Sequence, residues 1–309
     1  MKILQLDTNH PLISEQLTAQ GFTVEEDHFS TYDEVLKKIQ NYGGVIIRSR
    51  IPVDRRFLEN AVNLRFIARV GAGMENIDTE AASELGIQLI NSPEGNRDAV
   101  AEHVLGMLLM LMHRFNICCD EVKCGIWKRE ENRGDELLGK TVGLIGYGNM
   151  GKAVAKRFSG FGCRVIFHDI LPDLSDEFAT QVSLETLKEE ADILSLHVPL
   201  TAETLFMINQ QFISEMKKSF YLINTARGKN IKTKSLVEAL ESGKIKGAAL
   251  DVLEFEKSSF ENIENTSEDL QFLLSSEKVI VTPHIAGWTH QSKEKLAQVI
   301  VDKILASFT

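Results

Sequence analysis

Short apolar runs rich in β-branched residues recur along this chain, separated by amphipathic segments with helical spacing. The runs fall at residues 2–6, 44–47, 66–70 and 88–90, and again at 141–145, 164–167, 193–198, 220–223, 248–253 and 279–281. Strands buried on both faces need continuous rather than alternating apolar character, so the pattern predicts parallel sheets covered by helices. The wide gap between the fourth and fifth runs predicts two such sheets, in two α/β domains.

That gap holds "DAVAEHVLGMLLMLMHRFNICCDEVKCG", residues 98–125, whose apolar density exceeds what one amphipathic face needs. It predicts a long helix buried on several sides, suited to a domain joint or a subunit interface. Residues 257–269, "KSSFENIENTSED", are polar and acidic and predict a solvated loop with a short helix.

Composition narrows the function. With 309 residues, 43% of them hydrophobic and 25% charged, the chain can bury two moderate cores. A formal net charge of -10 argues against partners attracted by positive charge, so neither nucleic acid nor an anionic membrane surface is expected. A small molecule in a local pocket fits better. No apolar run approaches the roughly 18 residues of a membrane span, and the start, "MKILQLD", is not a signal-peptide core, so a cytoplasmic protein is expected. Cys118, Cys119, Cys124 and Cys163 show no metal-ligand spacing; reduced thiols and no metal are expected.

The chemistry starts at "TVGLIGYGNMGKAVAKRFSGFGCRVIFHD", residues 141–169. Gly146 permits a tight turn after a strand, Gly148 lets backbone approach a pyrophosphate, and Gly151 allows close packing of helix on strand. Asp169 closes the next strand at about the 20-residue distance where a carboxylate meets a ribose 2′-hydroxyl. It would repel a 2′-phosphate, and Ile170 and Leu171 follow it instead of a basic residue. NAD is therefore the expected cofactor.

Ligands of open parallel sheets bind beyond the carboxyl ends of the strands. Those ends carry Asp169, then His197 with Pro199, then Thr225 to Arg227, then Asp251 to Glu256, then His284. An arginine, a carboxylate and a histidine suit hydride transfer at a hydroxy-acid carbon. His284 would take the hydroxyl proton, Glu256 would orient its ring, and Arg227 would hold the substrate carboxylate and polarise the C2 oxygen. His197 is read as structural or as lining the cofactor pocket.

At these residues the chain resembles the D-isomer-specific 2-hydroxy acid dehydrogenases. "LIGYGNMG", "HVPLT", "INTARG", "GAALDVLEFE" and "TPHIAGWT" carry the likeness in order, and "RVGAGMENID" and "NSPEGNRDAVAEH" extend it through the first half. The resemblance implies a Rossmann-type NAD domain, residues 98–284, inserted into a flavodoxin-like substrate domain, residues 1–97 plus 285–309, with the active site in the cleft between them and a homodimer as the assembly. It implies the same triad, Arg227, Glu256 and His284, and puts Asp251 near the nicotinamide. By the same likeness the cofactor would meet Tyr147, Asn149, Met150, Val198, Pro199, Thr204, Thr225, Ala226 and Gly287, together with His197, Arg227, Asp251, His284 and the fingerprint.

Substrate-reading groups are expected from the first half. Gly71, Ala72 and Gly73 follow a strand and could form an anion nest from backbone N–H groups. Arg48, with Ser49 after it, and Arg69 also lie at strand ends; Arg48 and Arg50 share one face by alternation, and one of the two could simply be exposed. Within the family, "RS" after a strand, "RVGAG" and "SPEGN" most resemble the D-3-phosphoglycerate dehydrogenases, which implies that Arg48 and Arg69 bind a substrate phosphate and that the pathway is serine biosynthesis. Three features depart from that pattern: Lys257 after the glutamate, Trp288 where a small residue is common, and an end at Thr309 that leaves no room for an appended regulatory domain. A reductase of glyoxylate, hydroxypyruvate or another small 2-oxo acid is the alternative. A dinucleotide-sensing binding protein like the C-terminal binding protein corepressors is a remote one.

Overall fold

The computed structural model describes residues 1–256 and 267–308. Lys257 and the rest of the acidic stretch up to residue 266 lie outside the described residues, as does Thr309. The chain divides into two compact units, Met1–Arg97 with Trp288–Thr309, and Asp98–Gly287.

The first unit begins with β1 (Lys2–Gln5), α1 (Leu12–Ala19), β2 (Thr23–Glu26), α2 (Tyr32–Lys38), β3 (Gly44–Ile47), α3 (Arg55–Asn60), β4 (Phe66–Arg69), α4 (Thr79–Glu84) and β5 (Gln88–Asn91). Next come α5 (Pro93–Met112), α6 (Phe115–Lys123), β6 (Thr141–Ile145), α7 (Asn149–Phe158), β7 (Arg164–His168), β8 (Thr180–Gln181), α8 (Leu184–Glu190) and β9 (Ile193–Leu196). They are followed by α9 (Gln210–Glu215), β10 (Phe220–Asn224), α10 (Thr233–Glu241), β11 (Ile245–Leu250), α11 (Glu268–Ser275) and β12 (Val279–Val281), and α12 (His290–Phe308) returns to the first unit. Helix starts are set locally: Thr31 closes a capping box with Glu34, and the side chains of Asp54, Asp78, Ser183, Asn209 and Ser267 each accept a first-turn backbone N–H.

In the first unit the strands form one parallel sheet in the order β2-β1-β3-β4-β5, a flavodoxin-like winding. Successive side chains serve opposite faces. Leu4, Val45, Ile47 and Ile67 enter one core with Phe57 and Ala81, whereas Ile3, Ile46, Phe66 and Ala68 enter the other with Ala297, Ile300, Val301 and Ile304 of α12. The amphipathic α12 thus completes the first sheet. Gly95 lets the start of α5 cross α12 closely, since a Cβ there would lie 2.6 Å from the Leu296 Cα.

The second unit holds a parallel sheet in the order β12-β11-β10-β9-β6-β7-β8. Leu194, Leu196, Leu222 and Leu250 fill the core on one face; Val142, Leu144, Ile223 and Ala249 fill the other, beneath Val104, Leu108 and Leu111 of α5. Strand order reverses between β6 and β9, the switch point where doubly wound sheets place their ligands. Among the described residues no helix is long and apolar enough to cross a membrane.

Three features differ from the sequence expectation. Strands β2 ("TVEE") and β8 ("TQ") have no apolar run because their side chains stay exposed or half-buried, whereas the other two edges, β5 and β12, bury Ile90, Val279 and Ile280. The apolar stretch 98–125 is two helices rather than one, broken at Arg114, whose φ of 57° is left-handed without glycine or proline to signal it. Strand β9 stops at Leu196, two residues before the apolar run does, and β11 starts at Ile245, earlier than its run.

Candidate active site

The turn after β6 sits at the switch point. Gly146, with φ 93°, has room for no side chain: a Cβ would lie 2.5 Å from the His197 carbonyl oxygen, so the ends of β6 and β9 touch as bare backbone. At Gly151 a Cβ would lie 2.2 Å from the Gly146 oxygen, which fixes how closely α7 packs on the turn. Gly148 faces open space and caps α7 without a side-chain bond, leaving the helix start, with Asn149 and Met150, available to an anion. Tyr147 turns the other way. Its ring is 1% exposed, stacks on Phe167 at 3.7 Å and donates its hydroxyl to Asp176, so only its backbone belongs to the turn.

Asp169, at the end of β7, is oriented by two backbone donors, Tyr147 N at 2.7 Å and Leu171 N at 3.0 Å. Ile170 and Leu171 beside it are exposed, and neither offers positive charge for a 2′-phosphate. After β9, His197 shares a hydrogen bond of 2.9 Å with the buried Ser195 hydroxyl, and burial pushes its imidazole down to about 3. Val198 packs against the Gly146 turn and the apolar core, while Pro199 is exposed. The Thr204 hydroxyl donates to the Pro199 carbonyl, which ties this loop to itself. The Thr225 hydroxyl oxygen is buried with no hydrogen-bond partner among the described residues, an unmet polar atom at a strand's carboxyl end. With the open Gly148 cradle, it fits a bound dinucleotide.

Two buried amides set the Arg227 backbone. Asn224 accepts from Ala226 N and donates to the Arg227 carbonyl; Asn230 accepts from Arg227 N and donates to the Thr204 carbonyl. The arginine Nη1 donates to the Ala226 carbonyl at 2.6 Å. Gly228 comes next, where a Cβ would lie 1.9 Å from the Leu253 oxygen, so the turn closes directly onto the segment after β11. That segment carries Glu256, whose Oε1 accepts from Leu253 N at 2.7 Å and whose Oε2 lies 2.9 Å from His284 Nδ1. With Nδ1 committed to a carboxylate, proton exchange with a ligand falls to Nε2.

His284 itself has φ 56°, a conformation unfavourable for a residue with a Cβ. Asp251 holds it there. The Asp251 carbonyl accepts from His284 N at 2.9 Å, and its carboxylate accepts from Ile285 N and Ala286 N, both at 2.8 Å, and from the Thr282 hydroxyl at 2.6 Å. Nε2 of His103 lies 3.0 Å from that hydroxyl and 3.6 Å from the carboxylate. Expected to meet the cofactor, the Asp251 side chain is 1% exposed and surrounded by the chain's own donors, because the loop through Gly287 needs an acceptor at its base. Asn224, Asn230, His103 and Thr282 do work that a linear reading does not mark, and Asp251, marked for the cofactor, has a bracing role that it does not reveal.

In the first unit, Arg48 and Arg69 end neighbouring strands, Ile47 being in register with Arg69. Arg48 N donates to Asp7 at 2.7 Å, and the Arg48 carbonyl accepts from Asn76 Nδ2 and Arg69 Nε. Arg50, on the same face by alternation, is a structural tie instead: its guanidinium donates to the carbonyls of Leu6, Asp27 and Ser30. Ser49 lies in the bend between them. The Gly71 N–H bonds the Arg69 carbonyl and the buried Ser92 hydroxyl, so of the three expected nest donors only Ala72 and Gly73 remain for an anion. Asp7, Asn76 and Ser92 are further supports that the sequence does not mark.

Residues 105–286 match the family described as D-isomer specific 2-hydroxyacid dehydrogenase, NAD binding domain. The chain is 36% identical to hydroxypyruvate reductase from Thermotoga maritima over 97% of each chain. It is 33% identical to D-3-phosphoglycerate dehydrogenase from Archaeoglobus fulgidus over 99% of this chain, and spans 57% of the length of that protein. A glyoxylate reductase structure from Paecilomyes thermophila superposes with a TM-score of 0.87 at 26% identity, covering 99% of this chain and 95% of that one.

Two outcomes follow from this geometry. In Asp251→Asn an amide N–H₂ faces backbone donors, at about 1–3 kcal/mol for each buried group left unsatisfied. The expected result is a lower unfolding temperature and a fall in kcat of about tenfold or more, with NADH affinity retained; thermal unfolding, steady-state kinetics and an NADH fluorescence titration measure all three. For His197, unfolded chains take up its proton near the ordinary 6.5 whereas the folded protein resists it down to about 3. Its contribution to stability is therefore complete above that ordinary value and is lost as pH falls below it. Unfolding midpoints measured from pH 7 to 4.5 should fall less steeply in His197→Asn than in the wild type.

Proposed function

The chain belongs to the D-isomer-specific 2-hydroxyacid dehydrogenase family and carries its NAD-binding domain, and from that premise we propose that it interconverts 3-phosphoglycerate and 3-phosphohydroxypyruvate. The observation that carries the enzymatic reading is the His284–Glu256 pair, with Nδ1 and Oε2 2.9 Å apart on a backbone held at positive φ. A structural histidine would not need that strain.

In the reducing direction NADH, held by the turn after β6, would supply the hydride for reduction at C2 of the oxo acid. Nε2 of His284 gives its proton to the carbonyl oxygen as that oxygen becomes a hydroxyl. Glu256 fixes the ring's orientation and offsets its positive charge while protonated. Arg227 holds the substrate carboxylate with its planar fork and draws electron density toward the C2 oxygen. On the cofactor side, the backbone from Gly146 to Gly151 would hold the pyrophosphate and Asp169 the ribose hydroxyls.

The phosphorylated substrate is supported by Arg48 and Arg69 at adjacent strand ends, with Ala72 and Gly73 as donors to its carboxylate. The assignment to serine biosynthesis rests on the same reading. Reduction of hydroxypyruvate is the second reading, favoured by the full-length match to the Thermotoga enzyme where the phosphoglycerate dehydrogenase match spans little more than half of its relative. A homodimer is supported by Met110, Phe115, Val122, Ile126 and Trp127, large apolar side chains left exposed on α5, α6 and the segment after them.

NADH oxidation with 3-phosphohydroxypyruvate, hydroxypyruvate, glyoxylate and pyruvate tests the substrate. The phosphorylated acid should have the highest kcat/KM, and Arg69→Ala should reduce it far more than the value for glyoxylate; equal losses would count against a phosphate site. His284→Ala should lower turnover by a factor on the order of 10² or more with NADH binding unchanged. Unchanged turnover would remove His284 from the mechanism.

A further inference from the structure

Tyr147 belongs to the turn after β6 by its backbone, but its side chain reaches out of that turn to the neighbouring strand. The ring lies flat on Phe167 of β7, with 9° between the planes. From there the hydroxyl meets the connection between β7 and β8, where it donates to Asp176 Oδ1 at 2.7 Å. The backbone N–H of the same residue donates to Asp169 Oδ2, also at 2.7 Å. One residue thus holds two carboxylates of the loop that leaves the carboxyl end of β7.

That loop is tied along its length. Asp176 Oδ1 also accepts from the N–H groups of Phe178 and Ala179. Gln181 of β8 donates to the Leu171 carbonyl and accepts from Leu174 N, and Leu171 N returns to Asp169 Oδ1. Within the loop Asp173 has a φ of 58°, a left-handed conformation adopted without glycine. The hydrogen bonds therefore run from the turn to Asp176, on through β8, and back to Asp169.

We propose that the Tyr147 side chain is a positioning residue for the dinucleotide: by clasping Asp176 it keeps the loop after β7 closed, so that Asp169 meets the ribose hydroxyls in one fixed orientation. This rests on the reading of Asp169 as the ribose-binding carboxylate. A carboxylate at a strand end can turn about its side-chain bonds, and a ligand that must arrest such motion binds less tightly. The two N–H groups that aim Asp169 come from the two segments that the clasp joins, Tyr147 from the turn and Leu171 from the loop. A phenylalanine at 147 would keep the ring against Phe167 and lose only the tie to the loop.

The test is a fluorescence titration of NADH into wild type, Tyr147→Phe, Asp169→Ala and the Tyr147→Phe/Asp169→Ala double variant. Tyr147→Phe should raise the Kd roughly three- to tenfold, the range of one net hydrogen bond. Asp169→Ala should raise it by about tenfold or more, as expected for lost bonds to a charged group. Because the hydroxyl acts through Asp169, the double variant should stay within about twofold of Asp169→Ala alone. A purely structural tyrosine would add its full loss on either background. Asp176→Ala opens the same clasp from its other end and should reproduce the Tyr147→Phe loss, which keeps the test decisive if the phenylalanine variant folds poorly. An unchanged Kd in the clasp variants, or full additivity in the double variant, would overturn the proposal and leave the Asp169 reading intact. An unchanged Kd in Asp169→Ala would overturn both.

Discussion

One residue, Asp251, sets the backbone conformation of His284. Asp251 bonds three consecutive residues, 284 to 286, through its own carbonyl and both side-chain oxygens, and holds His284 in a left-handed backbone conformation. Such a conformation costs about 1–3 kcal/mol and persists only where surrounding bonds over-determine it. Here they do: the carbonyl of Thr282 also accepts from His284 N, and Glu256 fixes the ring from its far side. The ring's direction is thus a property of the sheet beneath it.

The same economy of backbone appears at the other strand ends. Bare backbone at Gly146 meets the His197 carbonyl, and Gly228 meets that of Leu253. In both places the loops converge because one partner has no side chain, and polar groups stand immediately beside the contact: His197 and the start of α7 in one case, Arg227 and Glu256 in the other. The buried amides of Asn224 and Asn230 then supply the hydrogen bonds that these tightly turned loops cannot make for themselves.

How far the sequence reveals this follows from what each residue is asked to do. Central strands were legible because burial on two faces demands unbroken apolar character, as at Gly44–Ile47 and Ile193–Leu196. The glycines of the β6–α7 turn were legible because their spacing answers one ligand shape. Strands β2 and β8 were not, since none of their side chains is fully buried, and the break at Arg114 was not, since no glycine or proline marks its left-handed backbone. At the site, polar residues at strand ends could be counted off, but alternation could not separate Arg48 from Arg50. Only the positions of three carbonyls show that Arg50 is structural. Nor could the sequence show that Asp251 braces the loop through Gly287.

The two edge strands that escaped the apolar pattern have a consequence for the molecule's behaviour in company. An exposed sheet margin is an invitation to foreign strands, since its unpaired N–H and carbonyl groups can template another chain. Here β8 offers two residues, too few to seed a register, and β2 ends in Glu25 and Glu26, whose charges would repel a copy of themselves. These two margins are poor nuclei for fibrillar stacking, because one is short and the other is charged.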